Sequence, residues 1–215
     1  MNFGVFIAIN LSLHNKYKEM RINLVCIGKT DDKEIQSLIK YYFTRLPKHW
    51  NFDIIEIPDV KNSKNLSPDL LKKEEAKLFL NITENSDVVV LLDEKGKQFT
   101  SREFAGKIDH WQNSSVKKVS FFIGGAYGFA EEIYNRANEK MSLSKMTFTH
   151  QMIRLFFVEQ IYRADQILQG KPYHNDWDYE MWIVNSQLSI LKVWKNLRNL
   201  PNLREKHLQE KIVRD

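Results

Sequence analysis

Two stretches of this chain gather small and polar residues in a way that suits a bound ligand. The first is Gly124-Gly125-Ala126-Tyr127-Gly128, which directly follows an apolar run. Glycine lets a backbone approach a ligand closely and permits a positive φ. The run has neither the G-x-G-x-x-G spacing of dinucleotide loops nor the lysine of a phosphate-binding loop. A tight strand-to-helix turn and a ligand loop therefore both fit it. The second stretch runs from Met141 to His150. Its backbone N–H and C=O groups are free to pair with an adenine edge. The plainer alternative is a connecting loop that caps the next helix through Thr147 or Thr149. Arg154 and Arg163 stand nine residues apart on that helix, which turns them to opposite faces. One suits a phosphate and the other an interface or ion pair, with two solvated arginines as the alternative. Asp93 and Glu94 form an acid pair or, more simply, a solvated turn.

Other chemistries are excluded by what these residues lack. The six histidines form no i, i+4 pair on an expected helix and have no acidic partners at ligand spacing, so no metal site is expected. No G-x-S-x-G nucleophile motif is present. Cys26 is the single cysteine, which rules out both an internal disulfide framework and a cysteine-built zinc site. The 215 residues are 43% hydrophobic and 27% charged, values of a globular chain with one ordinary domain and room for appendages. The net charge of +5 permits a nucleic-acid partner without arguing for one. No apolar run is long enough to span a bilayer.

The elements that must position these residues alternate. Residues 22–27 read as a buried strand ending at Gly28. A helix follows, capped by Asp31 with Glu34, and ends by Pro47. Residues 52–57 make a second strand. Ser67 and Pro68 open a helix as N-cap and first helical residue, running to about Thr83. Residues 87–92 are a third strand, apolar and β-branched. Thr100 and Glu103 form a capping box for a helix to about Gln112. Residues 116–123 are a fourth strand, 131–138 a helix, 141–143 a short extended piece and 149–168 a last helix. Strands separated by helices require crossovers, so the expected class is α/β with a mostly parallel sheet flanked by helices. In such sheets ligands sit beyond the carboxyl ends of the strands. That rule selects the residues after Leu92, after Ile123 and after Leu143.

The two ends differ from this middle. Residues 1–19 hold an apolar stretch with no preceding Lys or Arg and no small-residue cleavage pattern, so they do not read as a signal peptide. The expectation is that Met20 is the functional start and that 1–19 is a dispensable extension. Residues 176–215 contain Trp177, Trp182 and Trp194, with Ile183, Leu188 and Leu191 at roughly helical spacing. This is expected to be a helical C-terminal extension whose helix, about 181–197, packs on its own domain or on a partner copy, with a mobile polar piece after Pro201.

A series of short motifs occurs in order. It comprises Leu24 to Gly28, Ile55-Glu56-Ile57-Pro58, Leu92-Asp93 with Gly96-Lys97, and Phe121 through Gly128. It continues with Leu143-Ser144-Lys145-Met146-Thr147, His150-Gln151-Met152 with Arg154, Glu159 to Ala164, and Pro172-Tyr173-His174. Over residues 20–175 the chain resembles the bacterial 23S rRNA pseudouridine N3-methyltransferases, the small RlmH-type members of the SPOUT superfamily. The resemblance implies an α/β fold with a C-terminal trefoil knot, a cytoplasmic homodimer, and S-adenosyl-L-methionine as methyl donor. It implies as acceptor a pseudouridine in helix 69 of 23S rRNA within the assembled ribosome, and neither a metal nor a membrane. Cofactor positions carry over to Leu92, Gly124, Leu143, Ser144, Lys145, Met146, Thr147 and Phe148, the same strand ends that the sheet rule selects. His150, Arg154, Tyr173 and His174 match positions near the transferred methyl or the RNA.

Two features depart from the family. Thr149 replaces a usual proline, and 40 residues follow Asn175 where the family ends. The remaining readings are a non-catalytic ribosome- or RNA-binding SPOUT protein and a tRNA methyltransferase. RNA contacts are expected from the loop of Lys61 and Lys64, with Lys48 and Lys97 as weaker candidates.

Overall fold

The fold was analysed in a computed structural model, which describes residues 20–84, 86–171 and Tyr173. Chain contacts divide the protein into two units, residues 1–171 and 172–215. The expectations for residues 1–19, for His174 and for the tryptophan-rich tail lie outside the described residues.

The first unit alternates strand and helix throughout. In order it contains β1 (Arg21–Ile27), α1 (Lys33–Phe43), β2 (Phe52–Ile57), α2 (Pro68–Thr83), β3 (Val88–Gln98) and α3 (Ser101–Asn113). Then come β4 (Lys118–Ile123), α4 (Glu131–Arg136), β5 (Glu139–Ser142) and α5 (His150–Leu168). The strands form one sheet in the order β2-β1-β4-β3-β5, with every neighbouring pair parallel. The α/β class with a parallel sheet flanked by helices is thus observed.

Side chains alternate across the sheet with a period of two. Ile22, Leu24, Cys26, Val90, Val119, Phe121 and Ile123 point to one face, where α1, α3 and α5 cover them. Val25, Val89, Leu91 and Phe122 point to the other, under α2 and α4. Phe121 and Phe157 anchor the first core with ring centroids 4.6 Å apart, and Phe79 meets Phe122 edge-on in the second at 5.2 Å.

Helix starts follow local chemistry. Ser67 caps α2 with Pro68 behind it, and Thr100 and Glu103 make a reciprocal capping box on α3. Thr149 caps α5 by accepting from the Met152 N–H. One expectation is corrected. The cap of α1 is Asp32, whose carboxylate accepts from the N–H groups of Glu34 and Ile35. Asp31 instead accepts from the Gln151 side chain, 120 positions away.

A second correction concerns β3. It does not stop at Leu92 but continues to Gln98, with a register shift against β5 between Leu92 and Lys97. The reason is Gly96. A Cβ there would lie 2.5 Å from the Met141 backbone nitrogen, so only glycine lets β5 come alongside. Asp93 and Glu94 therefore sit in a bulged strand and not in a free turn.

Candidate active site

The carboxyl ends of β3, β4 and β5 open onto a cavity of about 510 Å³. That volume is in the range of small-molecule sites. Its walls come from three loops. After β4, the Gly128 N–H donates to the Gly125 carbonyl at 3.0 Å, and Gly128 adopts a φ of 77°. The run is thus a tight turn, and it also lines the cavity. After β5, the Ser142 hydroxyl donates to the Ser144 carbonyl at 2.7 Å, and the Ser144 hydroxyl accepts from the Met146 N–H at 2.9 Å. These short bonds hold the loop open and leave large apolar side chains at its surface. Met146 is 72% exposed and Phe148 39%. Phe148 is steadied by an edge contact with Phe156, at 4.9 Å between centroids. An apolar rim on an exposed loop suits a flat heterocycle.

Every expected cofactor position except Lys145 lines this cavity. Lys145 is exposed beside it. His150, at the head of α5, lines it too. Burial holds the His150 pKa below the usual imidazole value, the Arg154 charge pushes the same way, and a backbone hydrogen bond with Gly124 opposes both. The ring is therefore a neutral base at pH 7.

Arg154 does not line the cavity. It is 2% exposed, and its terminal amines donate to the Thr30 hydroxyl at 2.8 Å, to Glu56 at 3.4 Å and to the Ile27 carbonyl at 2.7 Å. Its Nε has no hydrogen-bond partner among the described residues. Arg163 is buried as well and pairs with Glu159 at 2.5 Å. Neither arginine is a solvated side chain. Tyr173 is a partly buried residue of the second unit.

The decisive comparison is with protein families. A family model described as "Predicted SPOUT methyltransferase" matches residues 20–174. The chain belongs to the SPOUT methyltransferase family. Among curated relatives it is 54% identical over 156 residues to the "Ribosomal RNA large subunit methyltransferase H" of Christiangramia forsetii, covering 73% of this chain and 99% of that protein. It is 50% identical over the same length, with the same coverage of both chains, to the protein of that name from Flavobacterium johnsoniae. Among solved structures, a methylase family protein from Neisseria gonorrhoeae is a distant likeness. Identity there is 14% and the TM-score 0.42, over 69% of this chain and 83% of that one.

In this SPOUT chain the cavity holds residues that sequence reasoning passed over. The Tyr134 hydroxyl donates to Asp93 at 2.5 Å, which fixes the carboxylate at the cavity wall beside the Lys95 N–H. Burial, followed by the bond to Asp93, drives the Tyr134 pKa upward, so the phenol stays protonated. Only the strand-end position of Asp93 hinted at this; nothing near it in sequence announced Tyr134. Among the described residues there is no cluster of His, Cys, Asp or Glu fit for a metal ion, and no helix long and apolar enough to cross a membrane.

Proposed function

We propose that this methyltransferase moves the methyl group of S-adenosyl-L-methionine to N3 of a pseudouridine in helix 69 of 23S rRNA, on the assembled ribosome and as a homodimer. The observation that carries the reading is the cavity at the ends of β3, β4 and β5, lined by the positions that the family resemblance assigns to the cofactor. The near full-length match to relatives named for large-subunit rRNA methylation supports the substrate class. Residues 20–175 act as the methyltransferase domain, with 1–19 and 176–215 as extensions.

The cavity fits such a donor. The loop of Leu143 to Phe148 offers backbone groups and an apolar rim to an adenine, and Gly124 allows close approach. Asp93, held by Tyr134, offers a carboxylate to hydroxyl or ammonium groups. When bound, the sulfonium supplies the electrophilic methyl. The chain orients the partners and excludes water. The N3 proton must leave as the N–C bond forms. His150 is neutral and faces the cavity, and it takes that proton directly or through a water; His174 is the other candidate. Arg154 braces the strand ends beneath His150 and helps keep it neutral. The family resemblance assigns Tyr173 and His174 to positions near the transferred methyl or the RNA.

The test is mass mapping of helix 69 from a strain lacking this gene. Loss of one methyl at a single pseudouridine, restored by the wild-type gene and not by His150→Ala, is the expected result. An unchanged methyl complement in helix 69 sinks the proposal. Calorimetric binding of S-adenosylmethionine separates the enzyme from a SPOUT protein that only binds the ribosome. Methyl loss in tRNA would instead identify a tRNA enzyme.

A further inference from the structure

One buried acid next to the cavity has no role in the account above. Along α2, Leu71, Glu75, Phe79 and Thr83 recur every four residues and are all buried, so Glu75 occupies a core position between two apolar neighbours. It is 6% exposed. Its carboxylate lies against Gly125 of the turn that follows β4. A Cβ built on Gly125 would meet both carboxylate oxygens well inside van der Waals contact. The three atoms nearest to that Cβ all belong to Glu75, and the Gly125 φ is outside the left-handed region. Gly125 lines the cavity and accepts the bond that closes the turn. Asp59 is close enough to act on the Glu75 charge. The acid is thus enclosed.

We propose that Glu75 is a positioning residue of the donor pocket, a wedge from α2 that sets the seat of the Gly124 to Gly128 turn through contact with Gly125. Gly125 is glycine in this chain because Glu75 fills the space of its side chain. The wedge acts through the turn and touches neither donor nor acceptor. This rests on the cavity being the donor site. The argument is steric: a loop wall fixed by one enclosed side chain cannot shift without that side chain moving.

The experiment uses the full chain at pH 8. S-adenosylmethionine affinity is measured by calorimetry, and protection of the 124–128 amides by hydrogen exchange, for wild type, Gly125→Ala, Glu75→Gln, Glu75→Ala and the double variant Gly125→Ala/Glu75→Ala. Gly125→Ala is expected to weaken binding about tenfold and to lower protection of the turn, as an overpacked contact does. The double variant should recover most of that loss, because the clash is gone. Glu75→Gln, which keeps the shape, should bind within about threefold of wild type. A Gly125→Ala protein that binds and protects like wild type overturns the proposal. So does a double variant no better than Gly125→Ala alone. If wild type fails to bind the donor, the cavity assignment falls, and amide protection across the same variants still decides whether Glu75 seats the turn.

Discussion

Arg154 on α5 and Glu56 on β2 meet at 3.4 Å, and the same guanidinium reaches the Ile27 carbonyl at the end of β1. One side chain therefore ties the helix that carries His150 to two strand ends. Thr30 completes the knot of bonds, since its hydroxyl and N–H both donate to Glu56 at 2.6 and 2.8 Å while the hydroxyl accepts from Arg154.

Removing Arg154 should cost stability before it costs chemistry. Arg154→Met leaves the Ile27 carbonyl and Thr30 without their donor and Glu56 without its counter-charge. Glu56 keeps 33% of its side chain exposed, so water can take over part of that pairing. The expected loss is roughly 3 kcal/mol, at the lower end for a broken buried pair. Urea unfolding of the full chain measures it. A loss under about 1 kcal/mol would show that the network is not holding α5.

Glu75 gives a pH signature. Burial, then the Asp59 charge, pushes its pKa up to about 7 from the usual 4.5. The folded state therefore disfavours the charged form. Its contribution is absent below pH 4.5, and the penalty grows between pH 4.5 and about 7 and is complete above that. Glu75→Gln should match wild type near pH 4 and exceed it at pH 8 by roughly 2–3 kcal/mol, from the pKa rise at about 1.4 kcal/mol per unit. An equal stability difference at both pH values contradicts this.

Gly96→Ala should break the seam between β3 and β5. The new methyl would lie 2.5 Å from the Met141 backbone, which is main chain and cannot swing aside. We expect a loss of about 1–3 kcal/mol. Weaker donor binding should accompany it, since Ser142 and Leu143 of the cavity follow directly on Met141. Thermal unfolding with and without S-adenosylmethionine reads both effects, and an unchanged midpoint in each condition refutes the seam argument.

Lys61 and Lys64 are both exposed, on either side of Asn62, whose φ of 58° turns the chain sharply at the loop tip. Lys48 and Lys97 are exposed as well, the latter over the Phe99 ring at 5.0 Å. If the 61–64 loop grips rRNA, Lys61→Glu with Lys64→Glu should reduce the salt slope of ribosome binding by about two units, one per phosphate contact. Filter binding across a salt series tests it. An unchanged slope removes the loop from the interface.

Local chemistry made much of this protein legible from its residues alone. The Ser67, Thr100 and Thr149 caps depend on groups at most three positions apart, and the apolar runs of β1 and β4 carry their own strand signal. Strands at crossover spacing place a candidate site at strand ends, which is why the residues after Leu92, Ile123 and Leu143 stand out in the sequence alone. The tertiary structure alone decided which distant groups meet. Arg154 finds Thr30 across 124 positions, and Trp50 donates to Asp165 across 115. Those pairings make Arg154 a buried brace between α5 and the strand ends. Gly96 and Gly125 are legible as glycines, but the Met141 backbone and the Glu75 carboxylate that occupy their missing side chains are not. A cap or a strand is selected by energies within one turn of chain. A partner across the fold is selected by the order in which strands pack, and that order brings α2 against the turn after β4 without leaving any mark in the neighbouring sequence.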